Sequence, residues 1–147
     1  MRHPGGVEVR SYEPSDAAAL GRLLREMGYA APTEQAAEHA RAFIAHPGAT
    51  LLVAVEEDAV VGMAASFLVP RLDAERLSCR ITDLVVAAAS RRRGIGRALM
   101  VELETRVREA GATRLDLSTG DWRSDAHAFY ERLGFVDNAR ALVRRLG

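Results

Sequence analysis

One segment near the middle of the chain limits how it can fold more than any other. It begins with an apolar run, continues through a loop and ends in a run with amphipathic spacing. Leu84-Val85-Val86 predicts a buried strand, and Leu99 and Leu103 lie at helical spacing further on. The loop between them contains glycine and arginine, in the order Arg91-Arg92-Arg93-Gly94-Ile95-Gly96-Arg97. A helix that begins directly after such a loop presents the unpaired N–H groups of its first turn at the end of a sheet.

Such a helix start is suited to bind a diphosphate, because its N–H groups point outward and carry the positive end of the helix dipole. Gly94 and Gly96 lack a Cβ, which lets phosphate oxygens approach the backbone, and the arginines add attraction. Two other phosphate motifs fit less well: the dinucleotide fingerprint needs glycine where Leu99 stands, and the P-loop needs lysine, which this chain lacks entirely. The alternative interpretation is a solvated basic turn capped by two glycines.

The patterns around this passage predict an α+β domain, because a meander of strands precedes the helix. Strands are predicted at Val7–Arg10, Leu51–Glu56, Ala59–Val69, Leu77–Val86 and Arg114–Ser118, with closing strand material from Phe135 onward that includes Ala141–Val143. Helices are predicted from Pro14-Ser15-Asp16 to Gly28, from an N-cap at Thr33 to His46-Pro47-Gly48, from Gly94-Ile95-Gly96 to Gly111, and from Asp125 to Leu133.

Length and composition favour a single domain spanning residues 1–147, with zero formal net charge. We expect a cytoplasmic protein without a membrane partner. Cys79 is the lone cysteine, and the sequence shows neither a signal peptide nor an apolar run long enough for a membrane helix. The four histidines show no metal-ligand spacing, so no metal is expected. All 20 cationic side chains are arginine, which excludes a Schiff-base lysine.

Two segments carry a resemblance to a known family. Arg91-x-x-Gly94-x-Gly96 resembles the acetyl-CoA signature Gln/Arg-x-x-Gly-x-Gly/Ala of the GNAT family of N-acetyltransferases, and residues 125–135 resemble that family's terminal helix, which ends in Tyr-Glu-x-x-Gly-Phe. The motifs cover residues 77–136, and the element order covers nearly the whole chain. The resemblance implies a three-layer fold with a mixed, mostly antiparallel sheet of six to seven strands flanked by four helices.

The resemblance also implies acetyl-CoA as cosubstrate and an amine, expected to be a small molecule, as acceptor. The diphosphate would lie at the helix start, on Arg92, Arg93, Gly94, Ile95, Gly96 and Arg97, with the Arg91 side chain closing over its outer face. The amide arm of the cosubstrate would lie along Leu84, Val85 and Val86, in a gap that opens toward the strand near Arg114–Ser118.

For the acetyl transfer, the resemblance assigns proton donation to the departing sulfur to Tyr130, and stabilisation of the oxyanion to the Val86 N–H at a strand bulge. The proton acceptor is left open: Asp83 is a candidate because it adjoins the cosubstrate strand, and a solvated strand residue is its alternative role. A water chain, or an amine that arrives neutral, would need no dedicated side chain. Other titratable candidates near the two motifs are Asp116, Asp121 and His127. A covalent route through Cys79 is disfavoured because this residue lies inside a strand upstream of the bulge.

Two departures from the family pattern concern the acceptor. Arg123 stands where many relatives have an asparagine that contacts the cosubstrate arm, and Ser118 replaces an acidic residue that some protein-acetylating relatives use as a base. Both weaken the transfer of a peptide-acetylating role to this chain. The loop Asp121-Trp122-Arg123 is instead expected to shape the acceptor pocket.

Two other functions stay open. One is a non-catalytic acyl-CoA-sensing domain of the same fold, which would not need Tyr130. The other is a nucleic-acid-binding module that uses Arg91–Arg93, Arg97 and Arg144-Arg145; neutral net charge and few aromatic residues argue against it, so no nucleic-acid partner is expected. The resemblance is also compatible with a homodimer.

Overall fold

The computed structural model describes residues 2–3, 6–119 and 124–147. The chain divides into two compact units, Met1–Asp116 and Leu117–Gly147. The described part of the first unit holds a six-stranded sheet whose strands lie in chain order: β1 Arg2–His3, β2 Val7–Ser11, β3 Ala49–Glu56, β4 Ala59–Pro70, β5 Leu77–Val86 and β6 Arg114–Asp116. Every neighbouring pair is antiparallel except β5 and β6, which are parallel. The predicted mixed, mostly antiparallel sheet is therefore confirmed.

The described ranges contain four α-helices: in the first unit α1 Ala17–Glu26, α2 Thr33–Ile44 and α3 Ile95–Glu109, and in the second unit α4 Ser124–Arg132. In the first unit, α1 and α2 pack together on one sheet face, where Leu20 and Leu23 are buried against Met63 and Val85. The side chains of neighbouring strand residues point to opposite faces. Because Met63 points to the face covered by α1 and α2, a Cβ at the neighbouring position 62 would point to the other face. There it would meet side chains of α3, so α3 packs on that face.

Gly62 on β4 allows α3 to approach the sheet closely. A Cβ at this position would lie 3.0 Å from the Val85 carbonyl oxygen and 3.2 Å from side-chain atoms of both Ile95 and Leu99. A larger residue would therefore push the first turn of α3 away from β4 and β5. The missing side chain thus helps to fix where the N-terminus of α3 lies.

Two local predictions, one of a helix N-cap and one of a strand bulge, were wrong. Thr33 is the first helical residue of α2, and Pro32 takes the N-cap position, because its extended conformation leads directly into the helix. The ladder between β4 and β5 passes from the pair Ala65–Asp83 to the pair Ser66–Ile81. Thr82 is therefore the extra residue of a bulge, which the sequence analysis had put at Val86.

The second unit contains α4 and a C-terminal segment that forms no strand in residues 135–147, so the predicted closing strand is wrong. Leu142, Val143 and Leu146 are exposed there. The apolar run is short, and a strand is stable only where a neighbour completes its hydrogen bonds. Among the described residues, no helix has both the length and the apolar character needed to cross a bilayer.

Candidate active site

The first turn of α3 is an open set of backbone amides. Gly94 is the N-cap with φ of 79°, a left-handed conformation that side chains disfavour, and no side chain caps the helix. The first intrahelical bond runs from the Ala98 N–H to the Gly94 carbonyl (3.0 Å), which leaves the three preceding N–H groups outside the helical ladder. No acidic residue lies in the first turn, and a Cβ at Gly94 would meet no atom within 4 Å. The site is therefore accessible and favourable for an anion.

The three consecutive arginines before Gly94 differ in their contacts. The Arg91 Nε donates to the Val86 carbonyl (3.3 Å), so this side chain folds back onto the end of β5. Arg92 has φ of 66° and is exposed. Arg93 forms an ion pair with Glu56 at the end of β3 (2.7 Å). Arg92 and Arg93 were expected on the diphosphate and Arg91 over its outer face, whereas the side chains of Arg91 and Arg93 contact the protein itself.

Within the described part of the first unit, the end of β5 has one side without a paired strand, which we call its open side. β6 pairs with β5 only at Ser78, Cys79 and Arg80, so the later residues of β5 lack this neighbour. On the other side, the Ala87 N–H donates to the Val61 carbonyl of β4 (2.8 Å). Because alternate residues of a strand direct their backbone groups to opposite sides, the N–H and C=O of Val86 point to the open side.

These features fit the cosubstrate that the resemblance implies. The amide cradle at Gly94 suits a diphosphate, and the open side of β5 offers backbone groups that an amide-containing arm can pair with, as an added strand would. Within the described ranges, no three His, Cys, Asp or Glu side chains are grouped to hold a metal ion.

Asp83 lies on β5 directly after the bulge, opposite Ala65 and half-buried. Its carboxylate makes no hydrogen bond or ion pair with the other described residues, which leaves it available to a ligand. Asp116, in contrast, accepts a hydrogen bond from the Arg114 Nε (2.8 Å). His127 is half-buried on α4, while Asp121 and Arg123 lie outside the described residues, as does the loop expected to shape the acceptor pocket.

Tyr130 belongs to the end of α4, where its ring makes two edge-on contacts. The ring centroids lie 5.2 Å from Phe129 and 5.6 Å from Phe135. The Phe135 N–H donates to the Tyr130 carbonyl and the Gly134 N–H to the Glu131 carbonyl, both at 3.0 Å. This is the Schellman helix ending, in which an apolar contact accompanies the backbone bonds. The Tyr-Glu-x-x-Gly-Phe pattern therefore has a structural reason of its own.

Cys79 is fully buried, and burial raises the pKa of its thiol. A thiol in this state is a poor nucleophile, which disfavours a covalent route through this residue.

Two carboxylates near the loop were missed by the sequence analysis. Glu26, at the end of α1, accepts a hydrogen bond from the Ala88 N–H (3.0 Å), and Glu56 holds Arg93. No local pattern indicates either contact, because each joins residues far apart along the chain.

Comparison with known proteins gives the same family as the motifs. The profile of the "Acetyltransferase (GNAT) family" matches residues 18–135. The aminoalkylphosphonate N-acetyltransferase of Salmonella typhimurium is 35% identical over 89 residues, which is 60% of this chain and 58% of that protein, so the match spans only about half the length of this relative.

Solved structures show the same fold over nearly the whole chain. A putative acetyltransferase from Agrobacterium tumefaciens is 30% identical with a TM-score of 0.85, and the match covers 95% of this chain and 99% of that one. An aminoglycoside N-acetyltransferase in complex with CoA, at 13% identity, has a TM-score of 0.84 over 98% of each chain, a likeness of fold alone. With a family profile that spans most of its length, the chain belongs to the acetyltransferase (GNAT) family.

Proposed function

We propose that this chain transfers the acetyl group of acetyl-CoA directly to the nitrogen of a small-molecule amine. The observation that carries the proposal is the uncapped start of α3 at Gly94, next to the open side of β5. Support also comes from the relatives: one is named for the N-acetylation of aminoalkylphosphonates, and a protein of the same fold has been solved with CoA.

In this proposal the backbone does most of the cosubstrate binding. The N–H groups of Ile95, Gly96 and Arg97 receive the diphosphate, and the exposed Arg92 and Arg97 add positive charge. Leu84, Val85 and Val86 provide the edge along which the amide arm lies. Arg91 and Arg93 act mainly by holding the loop, through the contacts to Val86 and Glu56.

Acetyl-CoA supplies an activated thioester, and in this proposal three groups of the protein take part in its reaction. Asp83 accepts a proton from the amine nitrogen as this nitrogen bonds to the carbonyl carbon. The Val86 N–H stabilises the negative charge that develops on the carbonyl oxygen. Tyr130 donates a proton to sulfur as the carbon–sulfur bond breaks, so that amine and thioester become amide and thiol.

The test is an assay of thiol release from acetyl-CoA with a panel of primary amines that includes aminoalkylphosphonates and aminoglycosides. We expect at least one amine to be acetylated, and Asp83→Asn to lower kcat about a hundredfold, in the usual range for loss of a general base. Glu38→Gln is the control, because Glu38 is exposed on α2. Folded protein that binds neither acetyl-CoA nor CoA in a calorimetric titration would refute the proposal.

A further inference from the structure

We infer that Glu26 is a positioning residue for the acetyl-CoA site, which it serves by holding the backbone amide of Ala88. The inference rests on the proposed function, and it concerns the segment that joins β5 to α3. Glu26 is the last residue of α1, far from both motifs in the sequence.

The contacts at the end of β5 carry this inference. Two successive amides are held by different elements: the Ala87 N–H donates to the Val61 carbonyl of β4 (2.8 Å), and the Ala88 N–H donates to Glu26 Oε1 of α1 (3.0 Å). The Ser90 N–H then returns to the Ala87 carbonyl (2.8 Å). These bonds fix the direction in which the chain leaves Val86 and enters the arginine-containing loop.

The helix that carries Glu26 is itself firmly placed. Leu23, one turn earlier, is fully buried, and Met27, one residue later, packs on the same apolar cluster as Ala87. A side chain anchored on such an element holds its partner in a narrow range of positions, and a loop held before binding loses less conformational entropy when the ligand arrives.

The charge of Glu26 makes the inference sharply testable. A carboxylate beside a loop that receives an anion repels that anion, so removal of the charge by itself strengthens binding. Loss of the hydrogen bond has the opposite effect, because it releases Ala88. Glu26→Gln removes the charge and keeps an oxygen that can accept the Ala88 N–H, whereas Glu26→Ala removes both.

The experiment measures the CoA dissociation constant by calorimetry and the hydrogen exchange of the Ala88 amide by NMR in the ligand-free protein. We expect Glu26→Ala to bind CoA about tenfold more weakly and to exchange the Ala88 amide faster. Glu26→Gln is expected to bind at least as tightly as wild type. KM for acetyl-CoA, and not KM for the amine, should rise in Glu26→Ala. The control Glu38→Ala should change neither readout, and thermal melting identifies any variant that does not fold.

The outcomes separate the two proposals. If the wild-type protein binds no CoA, the proposed function fails and this inference fails with it. If the wild type binds CoA and Glu26→Ala binds equally well or more tightly, only the role of Glu26 is refuted. Unchanged exchange of the Ala88 amide in a folded Glu26→Ala protein would refute it as well.

Discussion

The Arg93 Nη2 lies 2.7 Å from Glu56 Oε1, so the third arginine of the loop is paired with the end of β3. Its charge is therefore largely compensated by the protein. Arg97, in the first turn of α3, is exposed and forms no ion pair with the other described residues. Although the two arginines lie only four positions apart, their availability to an anionic ligand differs.

The first prediction compares these two arginines. Arg97→Gln should raise the dissociation constant for CoA about fivefold at low ionic strength, because it removes an uncompensated charge near the diphosphate. Arg93→Gln should raise it less than about twofold, because its charge is already shared with Glu56. Calorimetry at low and high ionic strength measures both, and the difference should shrink as salt increases. An Arg93 effect that equals or exceeds the Arg97 effect would contradict the prediction.

The second prediction concerns Gly94, whose φ of 79° favours glycine. Gly94→Ala should lower the free energy of unfolding by about 1 kcal/mol and weaken CoA binding about tenfold, because the strain moves the first amides of α3. Gly111→Ala is the matched control, since Gly111 has φ of 102° at the opposite end of the same helix. It should lose similar stability in urea unfolding and keep its CoA affinity; equal affinity losses in both variants would count against a specific role of Gly94.

The third prediction separates the hydroxyl of Tyr130 from its ring. Tyr130→Phe removes only the hydroxyl and keeps the edge-on ring contacts with Phe129 and Phe135, so the variant should still fold. The value of kcat should fall about a hundredfold, as expected when a general acid is lost. Thiol-release kinetics and thermal melting check both statements. Full turnover in Tyr130→Phe would show that the residue serves only the helix ending.

The fourth prediction concerns acid stability and rests on Asp16. Burial favours a higher pKa for this carboxyl, but hydrogen bonds from the Arg10 guanidinium and the Glu13 N–H outweigh burial, and the pKa of Asp16 is lowered. A folded-state pKa below the unfolded value of about 3.9 stabilises the protein above that pH, and this contribution is lost as pH falls through the folded-state pKa.

Asp16→Asn should therefore lower the free energy of unfolding by about 1–2 kcal/mol near neutral pH. The difference from wild type should shrink as pH falls below about 4. Urea unfolding across this pH range measures the difference, with Asp137→Asn in the exposed C-terminal segment as control. A difference that stays constant with pH would contradict the assigned cause.

The sequence predicted regular elements well where the periodicity was long. The predicted bounds of Leu77–Val86 agree with β5, and α3 begins at Ile95 as the glycine pattern indicated. The prediction of a strand at Ala141–Val143 was wrong, because a short apolar run does not reveal whether a neighbouring strand will complete its hydrogen bonds. The bulge at Thr82 was misplaced for a related reason, since register depends on the partner strand. The catalytic roles of Asp83 and Tyr130 stay predictions.

What the sequence by itself determined is local: the apolar periods of β5 and α3, and the left-handed glycine that opens the helix amides. These follow from the energies of neighbouring residues and from backbone sterics. Only the tertiary structure decided that Glu56 forms an ion pair with Arg93 and that Glu26 accepts a hydrogen bond from the Ala88 N–H. It also decided that the Val86 amide faces the side of β5 that β6 no longer covers. Such contacts depend on strand register and on how the helices pack on the sheet, which bring together residues that no local pattern relates.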